Sequence, residues 1–174
     1  TIPAEVVVAN DARAIIIATA TNLLRRQELT IIERGKAYKA MLEAKRRQGE
    51  RTDLGTSGEN RQKFLTREIV ADFFGVTEYE IRKAVKLAGL IPPLADILEN
   101  EPRNLPLSCA DMIADYDTAS QEAFMEMCRI EGYRLNKATL NHITQKCPPP
   151  TADKQAIYAA WREARTAADK KRSA

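Results

Sequence analysis

Residues that interrupt helices are scarce in this sequence. Its 174 residues include only 7 Gly and 8 Pro, which argues against a β-sandwich or barrel with its many turns. Hydrophobic residues make up 44% and charged residues 29% of the chain, so it is neither disordered nor fibrous. We predict a mainly α protein of eight or nine helices, with a helix-turn-helix inside a multi-helix bundle and one N-terminal strand.

Side chains that bind metals or carry catalysis are also few. The single histidine, His142, argues against a catalytic triad and against a histidine-based metal site. Asp111, Asp115 and Asp117 lie close together, but without a loop glycine they are poor calcium ligands. We expect them to form a solvated face, and we expect no catalytic residue and no metal site.

The sequence also lacks the patterns of a disulfide-bonded protein and of a membrane protein. Cys109, Cys128 and Cys147 are too widely spaced for a disulfide framework, and none lies in a CxxC motif. Three free thiols favour a cytoplasmic protein. No apolar run approaches the roughly 20 residues of a membrane-spanning helix, and the chain starts without a basic and apolar leader.

The positive charge is concentrated at the two ends of the chain. Residues 1–63 carry 12 Lys and Arg against 8 acids, and residues 148–174 carry 6 against 3. The two middle segments are each slightly acidic, so the net charge is only +3. Such a balance permits contact with a polyanion without requiring it.

Turn and capping signals divide the chain. Residues 4–9 are β-branched and predict one strand, and Asp11 is a candidate cap for a helix over 12–26. Thr30 and Glu33 form a capping box that opens the next helix. Residues 49–62 are polar and contain three glycines, which predicts a loop.

Further caps are predicted downstream. Thr118 with Gln121 forms a capping box, and Ser108 begins a weaker one. Asn136 precedes a short helix that we expect to end at Leu140. Three prolines at 148–150 then interrupt the chain before a last helix that starts near residue 152. We predict three parts: the remnant of an N-terminal subdomain over 1–29, a helical domain over 30–147, and a C-terminal helix with a basic tail over 148–174.

The most informative segment is residues 66–88, where two short helices flank a tight turn. Ala71, Gly75 and Ile81 have the residue types and spacing of a helix-turn-helix: a small residue for close crossing, a glycine for the left-handed turn and an aliphatic anchor. Thr77 and Glu80 form a capping box at the turn, and Thr66 is a candidate cap for the first helix. The alternative is two ordinary core helices.

The second helix presents polar residues that suit the major groove. Arg82 and Lys83 are candidates for reading guanine, Glu78 for reading cytosine, and Arg67 for holding a phosphate beside helix N-terminal amides. We therefore predict that the helical domain over 30–147 is a DNA-binding domain, with a binding surface formed by Thr66, Arg67, Thr77, Glu78, Tyr79, Arg82, Lys83 and Lys86.

Several motifs follow one another along the chain: the Asn-Leu-Leu-Arg-Arg-Gln-Glu-Leu stretch at 22–29, Glu33, Ala37 and Tyr38, the helix-turn-helix, Leu90-Ile91-Pro92, and the Leu-Pro-Leu-Ser motif at 105–108. Their order resembles that of ParB-type partition proteins, and the insert at 47–53 is similar to the mobile-element branch of that family. The resemblance covers about residues 1–145. It implies a dimer that binds a palindromic DNA site, segregates a plasmid or mobile element with a ParA-type ATPase, and lies on the nucleoid or plasmid in a bacterial cytoplasm.

The same resemblance implies a cytidine triphosphate (CTP) and Mg²⁺ site in the family's N-terminal subdomain. Asn22, Arg25 and Arg26 match part of that site, but Thr21 replaces the family's metal-binding Glu, and the arginine-rich phosphate motif would lie upstream of residue 1. We therefore expect no cofactor on this chain and no enzymatic activity, with CTP and weak CTP hydrolysis confined to a longer protein. The alternatives are a transcriptional regulator, a nucleotide-dependent clamp and a helical interaction module.

Overall fold

The computed structural model describes residues 9–25, 29–50, 59–130 and 135–172. Within these ranges the chain is helical and contains no strand, which confirms the mainly α class. The predicted strand at 4–9 lies almost wholly outside the described residues. The helices are α1 (Asp11–Arg25), α2 (Ile31–Glu50), α3 (Glu59–Phe74), α4 (Glu78–Leu87), α5 (Pro92–Asn100), α6 (Leu107–Ile113), α7 (Thr118–Ile130), α8 (Lys137–Lys146) and α9 (Lys154–Arg172).

The chain forms two compact units, residues 1–85 and 86–174, and the division falls inside α4. In the first unit, α2 packs against α1 and α3. Its core joins side chains of α2, α3 and α4, and the rings of Tyr38 and Phe74 lie 5.3 Å apart. The buried members are Tyr38, Met41, Val70, Ala71, Ile81 and Ala84.

The second unit packs α9 against α7 and α8. Buried apolar residues come from each of its helices, among them Leu94, Ile113, Phe124, Leu140 and Ile157. Long-range hydrogen bonds add to this packing: the Tyr116 hydroxyl donates to the Cys147 carbonyl at 2.5 Å, and the Ser120 hydroxyl donates to the Ala152 carbonyl at 3.1 Å. The unit is therefore fixed by contacts between residues far apart in sequence.

Three of the predicted helix starts are confirmed. Thr30 and Glu33 exchange side-chain and backbone hydrogen bonds of 3.1 and 3.2 Å, and Thr77 and Glu80 do the same. Asn136 caps α8 by accepting from the Thr139 amide at 2.9 Å, although that helix runs on to Lys146.

Four other predicted starts are wrong. Asn10, not Asp11, accepts from the Arg13 amide at 2.9 Å and caps α1. Asp117, not Thr118, caps α7 by accepting from the Ser120 amide at 2.8 Å. The remaining two, Thr66 and Ser108, lie inside α3 and α6.

The predicted loop over 49–62 is also wrong at both ends. Helix α2 continues to Glu50, and α3 already begins at Glu59. Residues 59–63 are Glu, Asn, Arg, Gln and Lys, most of which have good helix propensity. The segment lacked an apolar face to signal a helix, and the part between 51 and 58 lies outside the described residues.

Candidate nucleic-acid interface

The turn between α3 and α4 is fixed by backbone hydrogen bonds around Gly75. The Val76 amide donates to the Ala71 carbonyl at 3.1 Å, and the Gly75 amide donates to the Asp72 carbonyl at 3.2 Å. Gly75 has a φ of 64°, which a residue without Cβ adopts at little cost. This Schellman arrangement ends α3 and reverses the chain two residues before α4.

The start of α4 is held by Thr77. Its hydroxyl accepts from the Glu80 amide at 3.2 Å, and Glu80 accepts from the Thr77 amide at 2.8 Å. Hydrogen bonds from the backbone and side chain of Thr77 lower the pKa of Glu80, and the charge of Arg34 lowers it further. Glu80 is therefore a helix cap, and Arg34 of α2 lies near the same helix start.

The inner face of α4 is packed into the first unit. Ile81 is fully buried and Ala84 nearly so, in the cluster that contains Val70 and Ala71 of α3. Val85 packs at the edge of that cluster. This packing fixes the rotation of α4 about its own axis, so the residues on its other side form a defined surface.

That other side is the outer face of α4, which we define as Tyr79, Arg82 and Lys83, together with Lys86 one turn further on. Tyr79 is 62% exposed and Arg82 is exposed. The Lys83 ammonium lies 6.0 Å from the centre of the Tyr79 ring, which is the outer limit of a cation–π contact. Among the described residues, Arg82 and Lys83 form no ion pair. Two cations and an aromatic ring thus project from the first turns of the helix.

Lys86 is held differently. Its ammonium lies 2.8 Å from a carboxylate oxygen of Asp115 and 3.4 Å from one of Asp111. Burial lowers the pKa of Lys86, but the hydrogen bond to Asp115 and the charges of both carboxylates outweigh burial and raise it. Asp111 and Asp115 are therefore partners of Lys86 and not the merely solvated face expected from the sequence. Asp117 caps α7 instead.

Helix α3 places Thr66 and Arg67 more than a turn inside the helix. Both side chains are partly exposed. We expected Arg67 to hold a phosphate together with the amides at a helix N-terminus. The part about the amides is wrong, because α3 begins at Glu59 and its N-terminal amides lie there. Contact between Arg67 and a phosphate stays a prediction.

The segment that follows α4 is fixed by Gln121, which the sequence had assigned to a capping box with Thr118. Gln121 is buried, and its side chain accepts from the Ile91 amide at 2.8 Å. It also donates to the carbonyls of Tyr116 at 2.8 Å and Gly89 at 3.3 Å. Gln121 is the fourth residue of α7, and its partners lie up to 32 positions away, so no local pattern signals these contacts.

The residues matched to a nucleotide site are only partly described. Asn22 and Arg25 lie in the last turn of α1, without a described side chain, and Arg26 lies outside the described residues. Thr21 donates its hydroxyl hydrogen to the Ile17 carbonyl at 2.8 Å. Nucleotide binding therefore stays untested.

The side chains of the types that bind metals are dispersed in the described ranges, where no three His, Cys, Asp or Glu side chains form a group that could hold a metal ion. His142 lies 3.4 Å from the Glu163 carboxylate, which also pairs with Lys146. Among the same residues, no helix is long and apolar enough to cross a membrane.

We compared the chain with known proteins. No protein family, curated protein or solved structure matches the chain.

Proposed function

We propose that the protein binds double-stranded DNA sequence-specifically through a helix-turn-helix made of α3, the Gly75 turn and α4. One observation carries the proposal: in the first two turns of α4, Tyr79 and Arg82 are exposed and Lys83 is partly exposed, while the opposite face is packed through Ile81 and Ala84. A recognition helix inserts such a face, beginning with its N-terminal residues, into the major groove.

The charges around this face favour a reader of sequence over a general phosphate binder. Arg82 and Lys83 supply cations for base edges and phosphates. Glu78 stands at the first position of α4 and would repel a phosphate lying there. A carboxylate at this position suits the amino group of cytosine.

The biological role that we propose is partition of a plasmid or other mobile element, as in the ParB-type proteins that the sequence resembles. A homodimer would bind a palindromic site and act with a ParA-type ATPase in a bacterial cytoplasm. Deleting the gene should then raise the loss rate of the element per generation, and the gene should lie beside one for such an ATPase. Unchanged retention, with altered expression of neighbouring genes, would favour the transcriptional regulator.

The direct test of DNA binding is selection from a random duplex library, followed by titration of the selected site at several salt concentrations. We expect a defined site and an affinity that falls steeply with salt, with a slope of about −0.9 per phosphate contacted. A protein that enriches no sequence and binds no duplex at low salt would contradict the proposal.

A second candidate is a helical interaction module, and α3 supplies the observation in its favour. Ile69 and Phe73 lie one turn apart on α3 and are 52% and 50% exposed. Adjacent exposed apolar side chains are typical of protein contacts. Failure of the selection, together with concentration-dependent self-association that Phe73→Ser abolishes, would support this candidate.

A further inference from the structure

The outer face of α4 carries one exposed aromatic side chain, Tyr79, among its charged residues. Tyr79 is the most exposed of the large hydrophobic side chains among the described residues, at 62%. A tyrosine buries a large apolar area when it finds a partner, so leaving it in water forgoes stabilisation. A single exposed aromatic is not informative alone, and its position and neighbours are what carry the inference.

Its position is the middle of the outer face of α4. Successive helical residues are offset by about 100°, so Tyr79 points almost directly away from Ile81 and Ala84, which are buried. Arg82 and Lys83 follow it at i+3 and i+4 and lie on either side of it. Tyr79 is also the second residue of α4, in the turn that reaches furthest towards base edges in a recognition helix.

The backbone that carries the ring is fixed. The Thr77–Glu80 capping box holds the first turn of α4. The Lys83 ammonium lies 6.0 Å from the ring centre, at the outer limit of a cation–π contact. A tyrosine has only two side-chain torsions, so little conformational entropy is lost when a partner immobilises the ring.

The chemistry of the major groove identifies what such a ring would meet. Base edges there present hydrogen-bonding groups, and the one apolar group is the C5-methyl of thymine. Glu78, directly before Tyr79, disfavours insertion beside a phosphate. We infer that Tyr79 is a specificity-determining residue that packs its ring against a thymine methyl group of the target site. This inference rests on the proposed DNA-binding function.

The experiment replaces each thymine of the selected site, one at a time, by deoxyuridine. Uracil keeps the base pair and lacks only the methyl group. For the wild-type protein we expect the dissociation constant to rise about fourfold at one position per half-site, the value expected for one apolar carbon group. The other thymines should be insensitive.

Variants of Tyr79 test whether its ring causes the sensitivity to the thymine methyl group. Tyr79→Ala and Tyr79→Gln should bind the thymine site more weakly and should not distinguish thymine from uracil at that position. Tyr79→Phe should retain the fourfold difference because it keeps the ring. Because the side chain is exposed, melting curves of the variants should match the wild type, and having two truncating variants protects the test against one that misfolds.

The possible results separate the inference from the proposed function. If the wild type binds its site but no thymine is methyl-sensitive, or if Tyr79→Ala and Tyr79→Gln keep the sensitivity, the inference is wrong and DNA binding stands. If Tyr79→Phe loses the sensitivity, the hydroxyl and not the ring makes the contact, which also overturns the inference. If the wild type binds no duplex, the proposed function fails and the inference with it.

Discussion

Two parts of the outer face of α4 carry similar cations in different states. Arg82 and Lys83, in the middle of the helix, have no carboxylate partner among the described residues, whereas Lys86, near its end, is bound to Asp111 and Asp115. All three looked equally available from the sequence. The comparison teaches that helical position alone does not give the state of a lysine, because carboxylates elsewhere in the fold can pair with it. Contact between Lys86 and DNA stays a prediction.

A parallel contrast holds between the inner and outer faces of the same helix. Ile81→Ala should lower the free energy of unfolding by about 2–5 kcal/mol, because it empties a fully buried site. Its neighbour Arg82→Ala should change it by less than about 0.5 kcal/mol, as for most surface substitutions. Urea denaturation of both variants measures the difference. Similar losses for the two would mean that α4 is rotated from the orientation described.

The turn before α4 can be tested with a matched pair at Gly75. Gly75→Ala should cost about 1–2 kcal/mol, because the residue has a left-handed φ of 64°. No atom lies within 4 Å of an added Cβ, so the cost is conformational and not steric. Gly75→Asn should cost less, because asparagine tolerates that conformation. Equal costs in thermal or urea denaturation would contradict this explanation.

The contrast between Lys83 and Lys86 predicts effects of different size on DNA binding. Lys83→Ala should weaken binding, while Lys86→Ala should change it little because two carboxylates already neutralise that charge. The double variant Asp111→Asn/Asp115→Asn should release Lys86, tighten binding to all duplexes and steepen the salt dependence by about one phosphate contact. If Lys86→Ala weakens binding as much as Lys83→Ala does, the ion pairs do not hold in the complex.

The smallest expected effect is on acid stability. Hydrogen bonds from Thr77 lower the pKa of Glu80 in the folded protein, so the stability that Glu80 contributes is present above its ordinary pKa of 4.5 and is lost as the pH falls below it. Melting temperatures measured from pH 6 to pH 3 should therefore fall for the wild type. The fall should be slightly shallower for Glu80→Gln, and a steeper one would reverse the assigned sign.

The sequence could predict those parts of the fold that depend on neighbouring residues. The capping boxes at Thr30 and Thr77 and the turn at Gly75 depend on residues within five positions, and all three are present. The start of α7 depends on long-range contacts as well as on local ones. Asp117 and Thr118 are both good caps, and Gln121, the expected partner of Thr118, is instead bonded to residues 89, 91 and 116.

Tertiary contacts explain what the sequence could not predict in the candidate site. The ion pairs of Lys86 join residues 25 and 29 positions away, and no local pattern specifies such a meeting. The inner face of α4 was predictable because its apolar residues recur at helical spacing. The outer face was therefore predictable as a surface, but the state of each charge on it was not.

The central claim is that the N-terminal outer face of α4 binds DNA, and one pair of double variants tests it most directly. Arg82→Ala/Lys83→Ala and Lys36→Ala/Lys39→Ala each remove two cations from the first unit, and Lys36 and Lys39 are exposed on α2. Affinity for the selected duplex is measured at one fixed salt concentration. We expect the first variant to lose at least tenfold in affinity and the second to lose about threefold or less. Equal losses for the two would show that only net charge matters and would contradict the claim.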